Sequence, residues 1–187
     1  MEIIRSYAMT IWSLWDPVYY SFTRLTYIED ESPQKCIFRV RLTKYKGAPT
    51  ILNDGTRINK NDLMIKIHLH NVRLIKEMNH LKNDFQKGIH FYRCVQQSMP
   101  FLAAYVEGHE QSSEIKGIIG ITLLNQGTQK LGFESFSFKS KLYRIFKMVA
   151  LLPISLVSNQ SKDSLFGTEP RYLMMSKDKL IGRYNLK

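Results

Sequence analysis

Two histidines sit two residues apart, His68 and His70, in the run Leu63-Met64-Ile65-Lys66-Ile67-His68-Leu69-His70-Asn71. Apolar and polar residues alternate along it, which predicts a strand. Leu63, Ile65, Ile67 and Leu69 would line one face, and Met64, Lys66, His68 and His70 the other. The two imidazoles would then stand about 7 Å apart. An imidazole oriented by a carboxylate can move a proton near neutral pH. Asp54 and Asp62, at two turns just upstream, and Glu77 downstream are the carboxylates to weigh. The catalytic candidates are therefore His68, His70, Asp54 and Asp62, with acyl or sugar transfer as the reaction class. Asp54-Gly55-Thr56 is also a sound tight turn, Asp62 suits a second, and Asn71 can cap a helix, so a purely structural reading competes.

The same imidazoles could hold a metal if a third ligand arrived from elsewhere. His80, Glu77 and Asp54 are conceivable donors, but no spacing fixes one, so no metal and no cofactor is assigned. Cys36 and Cys94 each sit among apolar residues and are expected to be inert core thiols. No nucleophile elbow, serine triad motif or Cys–His constellation is evident. Gly117 and Gly120 build neither a phosphate loop nor a dinucleotide fingerprint.

The chain has 187 residues and a formal net charge of +11, which biases its partners toward anions. Arg39 and Arg41 fall on one face of the strand expected at residues 36–44, and Lys60 and Lys66 follow. Together with Asn71 they are the candidate binding residues. An anionic polymer or an acidic membrane surface is the partner class. Nucleic acid is not expected, since no zinc-finger, RNA-binding or helix-turn-helix pattern occurs. Two cysteines exclude a disulfide-built scaffold. No window reaches the roughly 18 apolar residues of a spanning helix. A secretory signal fits the first residues poorly, so the expected location is cytoplasmic or membrane-peripheral.

The elements that must position these side chains are of two kinds. Early strands are hairpin-like, at residues 36–44, 51–52, 57–58 and 63–70. Later ones, at residues 115–122, 133–138, 154–158 and 171–176, alternate with helices. Helices are expected at 72–85, 91–107, 123–131, 139–152 and 177–184. Gly88 separates the first two, and Pro100 should kink or interrupt the second. Leu74, Ile75, Met78, Leu81 and Phe85 would form the apolar stripe of the first. Residues 1–28 read as an N-terminal amphipathic helical segment, with a polar loop at residues 159–169 later on. Residues 29–187 read as one compact α+β domain, a mixed β-sheet flanked by helices.

Several of these segments resemble the YkoP-like domain family. The resemblance lies in Leu52-Asn53-Asp54-Gly55-Thr56, Ile58, Lys60, Asp62 and Leu69-His70-Asn71. It continues through Gly120-Ile121-Thr122, Leu131-Gly132-Phe133, Met175-Ser176-Lys177, Leu180 and Arg183-Tyr184. It runs from about Tyr19 to the end of the chain. The family pattern has Gly where this chain has Asn61, and Asn also tolerates a left-handed backbone. The resemblance implies a small stand-alone protein of spore-forming Bacillus-type bacteria. In that family the domain also occurs attached to polysaccharide deacetylase domains. It transfers no catalytic role to any residue, and the metal triad of a deacetylase is absent. What it implies is accessory or binding work in cell-envelope or spore polysaccharide processes.

Overall fold

The computed structural model describes residues 25–28, 36–78, 81, 83–122, 127–138 and 170–185. Strand β1 is Thr26–Tyr27, β2 is Phe38–Lys44, β3 is Thr50–Ile51, β4 is Arg57–Ile58 and β5 is Leu63–Leu69. Helices α1, Asn71–Met78, and α2, Asp84–Glu107, follow. Then come β6, Ile115–Thr122, a short 3₁₀ turn at Thr128–Leu131, β7, Glu134–Ser137, β8, Arg171–Ser176, and α3, Lys177–Tyr184. Six strands form one sheet in the order β1-β2-β5-β6-β8-β7, and β3 and β4 make a separate hairpin. The β5–β6 pair is parallel and the other sheet pairs are antiparallel, so the sheet is mixed. The expected α+β single domain is the fold observed.

A parallel pair needs a long crossover connection. Here α1 and α2 supply it. They cover the face that carries Phe38, Val40 and Leu42 of β2, Ile65 and Ile67 of β5, and Ile118 and Met175. Leu74 of α1, Val95, Met99, Leu102 and Val106 of α2, and Leu180 of α3 complete that core. Met64, Ile119 and Met174 point the opposite way and meet Tyr45, Leu52 and Ile58 from the β3–β4 hairpin region. Strand alternation thus buries apolar side chains on both faces of the central strands.

The hairpin is pinned at its tip. The Asp54 Oδ1 accepts a bond of 2.9 Å from the Thr56 amide, and Oδ2 accepts one from the Ser176 hydroxyl. Ser176 caps α3 by accepting from the Lys179 amide. Beside it, the Asn53 amide donates to both Glu134 carboxylate oxygens, at 3.1 and 3.0 Å. Burial alone would raise the Asp54 pKa. The bonds from Ser176 and Thr56 and the charge of Lys179 more than offset it and hold the group below 3.8.

Several expectations change, among them the helix expected at 123–131, of which the described residues form only the 3₁₀ turn Thr128–Leu131. Thr26 and Tyr27, expected in the N-terminal helical segment, form an edge strand instead, opposite Val40 and Arg39. Residues 1–24 of that segment, and the elements expected at 139–152, 154–158 and 159–169, lie outside the described residues. The helix expected to run to residue 85 ends at Met78, and α2 begins at Asp84 with Asn83 as its cap. The Asn83 Oδ1 accepts from the Gln86 amide at 2.8 Å, which competes with helix continuation. Phe85 therefore belongs to α2, where it is 77% exposed rather than part of the α1 stripe. Gly88 lies inside α2, and Pro100 sits in the same helix without ending it.

The two glycine environments lead to opposite expectations. A Cβ at Gly117 would meet the Met175 carbonyl oxygen at 2.3 Å, whereas Gly88 has nothing within 4 Å. Gly117→Ala should destabilise by about 2 kcal/mol. Gly88→Ala should stabilise by ~0.5–1 kcal/mol, because alanine loses less backbone freedom in a helix. Urea unfolding of both variants tests the pair, and equal midpoints would contradict this packing. The Asp54 contribution has a defined sign. A folded pKa below the unfolded one stabilises at pH above about 3.9 and is lost as pH falls through the folded value. Wild type and Asp54→Asn should differ in stability from pH 5 to 7, by about the same amount throughout, and converge in stronger acid.

Candidate functional site

Helix α2 repeats every 3.6 residues, so residues four apart share a face. His90 and Cys94 are such a pair, and their side chains touch, Nε2 to Sγ at 3.4 Å. Helix α1 brings Glu77 across from them. The Glu77 Oε2 lies 3.4 Å from His90 Nε2 and 3.9 Å from Cys94 Sγ. Sulfur, imidazole nitrogen and carboxylate oxygen thus converge within 4.8 Å of one another. They line a cavity of about 490 Å³ with Ile37, Arg73, Gln97 and Phe101. That volume is in the range of small-molecule sites.

Neighbouring bonds hold the cluster. Arg73, one turn before Glu77, donates from Nε to Oε1 at 2.7 Å. Its Nη1 reaches the Cys36 carbonyl at 3.4 Å, tying α1 to the entry of β2. The Ser98 hydroxyl donates to the Cys94 carbonyl at 2.9 Å and accepts from the Ile37 amide at 3.0 Å. This links α2 to the same strand entry. Burial pulls the Glu77 pKa upward, but Arg73, through its bond and its charge, and then His90 hold it below 4.5. Burial first, and then the Glu77 charge, push the Cys94 thiol above 9.0. Cys94 therefore carries its proton at neutral pH and is a poor nucleophile on its own.

This arrangement differs from a catalytic triad. In a triad the carboxylate and the nucleophile use different imidazole nitrogens. Here both Glu77 and Cys94 approach Nε2. One proton on that nitrogen can serve only one acceptor well. Three potential ligand atoms within 4.8 Å of one another are suited to a cation once the thiol gives up its proton.

The residues singled out by sequence fall elsewhere. The β2–β5 register sets Arg39 opposite His68 and Arg41 opposite Lys66, so these four share one sheet face. That face is opposite the one covered by α1 and α2, and the sheet separates it from Glu77. Arg39 is only 3% exposed, with its guanidinium 5.0 Å from the Tyr27 ring centroid. The His70 ring meets Tyr27 edge-on at 6.0 Å. Asp54 is bonded to Ser176 at the far end of the sheet. Asp62 accepts from the Asn59 amide at 2.7 Å, closing its own turn. It precedes His68 by about 20 Å of extended chain. Lys60 is exposed on that turn, and Asn71 is the first residue of α1. Asp54 and Asp62 thus act in turns, away from the two strand imidazoles.

The sequence held a signal for the cluster: His90 and Cys94 at a helical spacing of four. Splitting the helices at Gly88 placed His90 outside the second one and hid the pair. Cys94, read as an inert core thiol, is only partly buried.

Among the described residues, no helix is long and apolar enough to cross a membrane. No solved structure matches the chain. It is 44% identical, over 96% of its length and 97% of the relative's, to a Bacillus subtilis (strain 168) protein named "Uncharacterized protein YkoP". A family model described as "YkoP domain" matches residues 5–184. With nearly the whole chain matched in both comparisons, the protein belongs to the YkoP domain family.

Proposed function

We propose that the protein is an accessory binding domain that receives the anionic group of a cell-envelope or spore polymer in the cavity between α1 and α2. The cavity itself supports this reading. It combines two polar donors, Arg73 and Gln97, with the apolar walls Ile37 and Phe101 and a cluster of ligating side chains. Apolar walls with a few convergent polar groups are the usual composition of a ligand pocket. A net charge of +11 would draw an anionic polymer toward it. The attachment of related domains to polysaccharide deacetylases fits the same class of ligand. The protein would act in the cytoplasm or at the membrane periphery. A transferase built on His68 or His70 gains no support, because Asp54, Asp62 and Glu77 are committed elsewhere.

A second reading is favoured by one observation. The β2–β5 register gathers Arg39, Arg41, Lys66 and His68 on one sheet face. Arg39 is buried there, but Arg41 and Lys66 are partly exposed, and their positive charge would draw an anionic polymer to that part of the face. In this reading the polymer lies along the sheet instead of entering the cavity.

Binding of polyglycerol phosphate, with acidic vesicles and DNA as controls, separates the two across a salt series. Glycerol phosphate serves as a small competitor. The cavity reading expects Gln97→Trp, which fills the pocket from an exposed helix position, to weaken polymer binding about tenfold or more. Paired Arg41→Gln and Lys66→Gln changes should then act weakly, and only at low salt. The reverse pattern would move the site to the sheet. Absence of salt-resistant, competable binding to the polymer would overturn the cavity reading.

A further inference from the structure

The geometry points to a divalent zinc-class metal site: we propose that Glu77 Oε2, His90 Nε2 and Cys94 Sγ bind one such ion, leaving its fourth position open to the cavity. Ligands of a tetrahedral zinc ion, at bond lengths of about 2.0–2.3 Å, lie about 3.3–3.6 Å from one another. The observed separations are 3.4, 3.4 and 3.9 Å. The longest one exceeds that range by about 0.3 Å, which the ion would draw in on binding. Thiolate, imidazole and carboxylate together suit zinc and its neighbours, not calcium or magnesium, which take oxygen ligands. Three protein ligands with a vacant fourth corner are the pattern of zinc sites that accept an exogenous ligand.

The surroundings divide the labour of Glu77. Its Oε1 is taken by Arg73, while Oε2 is turned toward His90 and Cys94. A hydrogen-bonded outer partner of this kind orients a ligating carboxylate. Ser98 does the equivalent for the Cys94 backbone by bonding its carbonyl. Two ligands come from one helical turn, and the third comes from the facing helix. The site is thus prearranged on helices and does not depend on a loop.

Charge completes the case. Metal binding displaces the Cys94 proton to solvent, leaving a thiolate. Thiolate and carboxylate then cancel the two positive charges of the ion, and neutral His90 adds none. Arg73 leaves the site with one net positive charge. The fourth position is therefore suited to an anionic oxygen donor, a phosphate or carboxylate of the ligand. This last assignment rests on the cavity being the binding site.

The test uses the full chain, purified without a tag and freed of metal by a chelator. Titration with Co²⁺ should saturate at one equivalent and give a near-ultraviolet thiolate-to-cobalt charge-transfer band. Zn²⁺ should displace it. Cys94→Ser should abolish the band, and Glu77→Gln should weaken Co²⁺ affinity at least about tenfold. In wild type, Zn²⁺ should slow alkylation of the Cys94 peptide about tenfold or more, a readout that needs no variant to fold. No band, a band that survives Cys94→Ser, or an alkylation rate indifferent to Zn²⁺ would overturn the metal site. Metal uptake without any effect of Gln97→Trp on polymer binding would leave the metal site standing and remove the cavity as polymer receptor. Competable polymer binding in chelator, with no Co²⁺ uptake, would do the opposite.

Discussion

The parallel pairing of β5 with β6 is the constraint from which the rest of the molecule follows. Two parallel neighbours cannot be joined by a tight turn, so the chain must leave the sheet and return. The return path is α1 and α2, and its apolar stripes must be buried somewhere. They settle on the face that carries Phe38, Val40, Ile65 and Ile118. Once they lie side by side on that face, Glu77 on one helix meets His90 and Cys94 on the other. The candidate site is thus a by-product of closing a crossover, placed where two helices and the entry of β2 converge.

Polar groups at that convergence stay in place because each is bonded to a different element. Arg73 joins Glu77 to the Cys36 carbonyl, and Ser98 joins the Cys94 carbonyl to the Ile37 amide. Leaving the buried Ile37 amide without its Ser98 acceptor would cost about 1–3 kcal/mol. The bonds therefore resist sliding of either helix along the sheet. The opposite end of the sheet uses the same device. Asp54 and Ser176 fasten the β3–β4 hairpin to the start of α3, and Asn53 and Glu134 fasten it to β7. Both clamps join segments far apart in sequence, which makes them properties of the assembled fold.

Local pattern alone determined much of the architecture. Strict alternation placed β2 and β5, and it correctly separated Ile65 from Lys66 and His68. The Asn-Asp-Gly turn, the β6 strand, the final strand and the final helix were legible for the same reason: period and turn chemistry are local quantities. The α1–α2 boundary was less legible. Gly88 reads as a breaker, but the Asn83 cap starts the helix earlier and the helix absorbs the glycine at modest cost. Cross-strand register, which joins Arg39 to His68, became visible only when two strands were aligned in space.

The sequence by itself determined the strand periodicity, the turn positions, the basic charge and the family to which the chain belongs. Tertiary structure decided which titratable groups meet. Asp54, Asp62, His68 and His70 lie close in sequence, yet an extended strand carries them apart by about 3.3 Å per residue. Glu77 and Cys94 are 17 positions apart, yet a helical hairpin folds them to 3.9 Å. Side-chain chemistry is read from residue type, whereas proximity between elements is set by how their apolar faces pack.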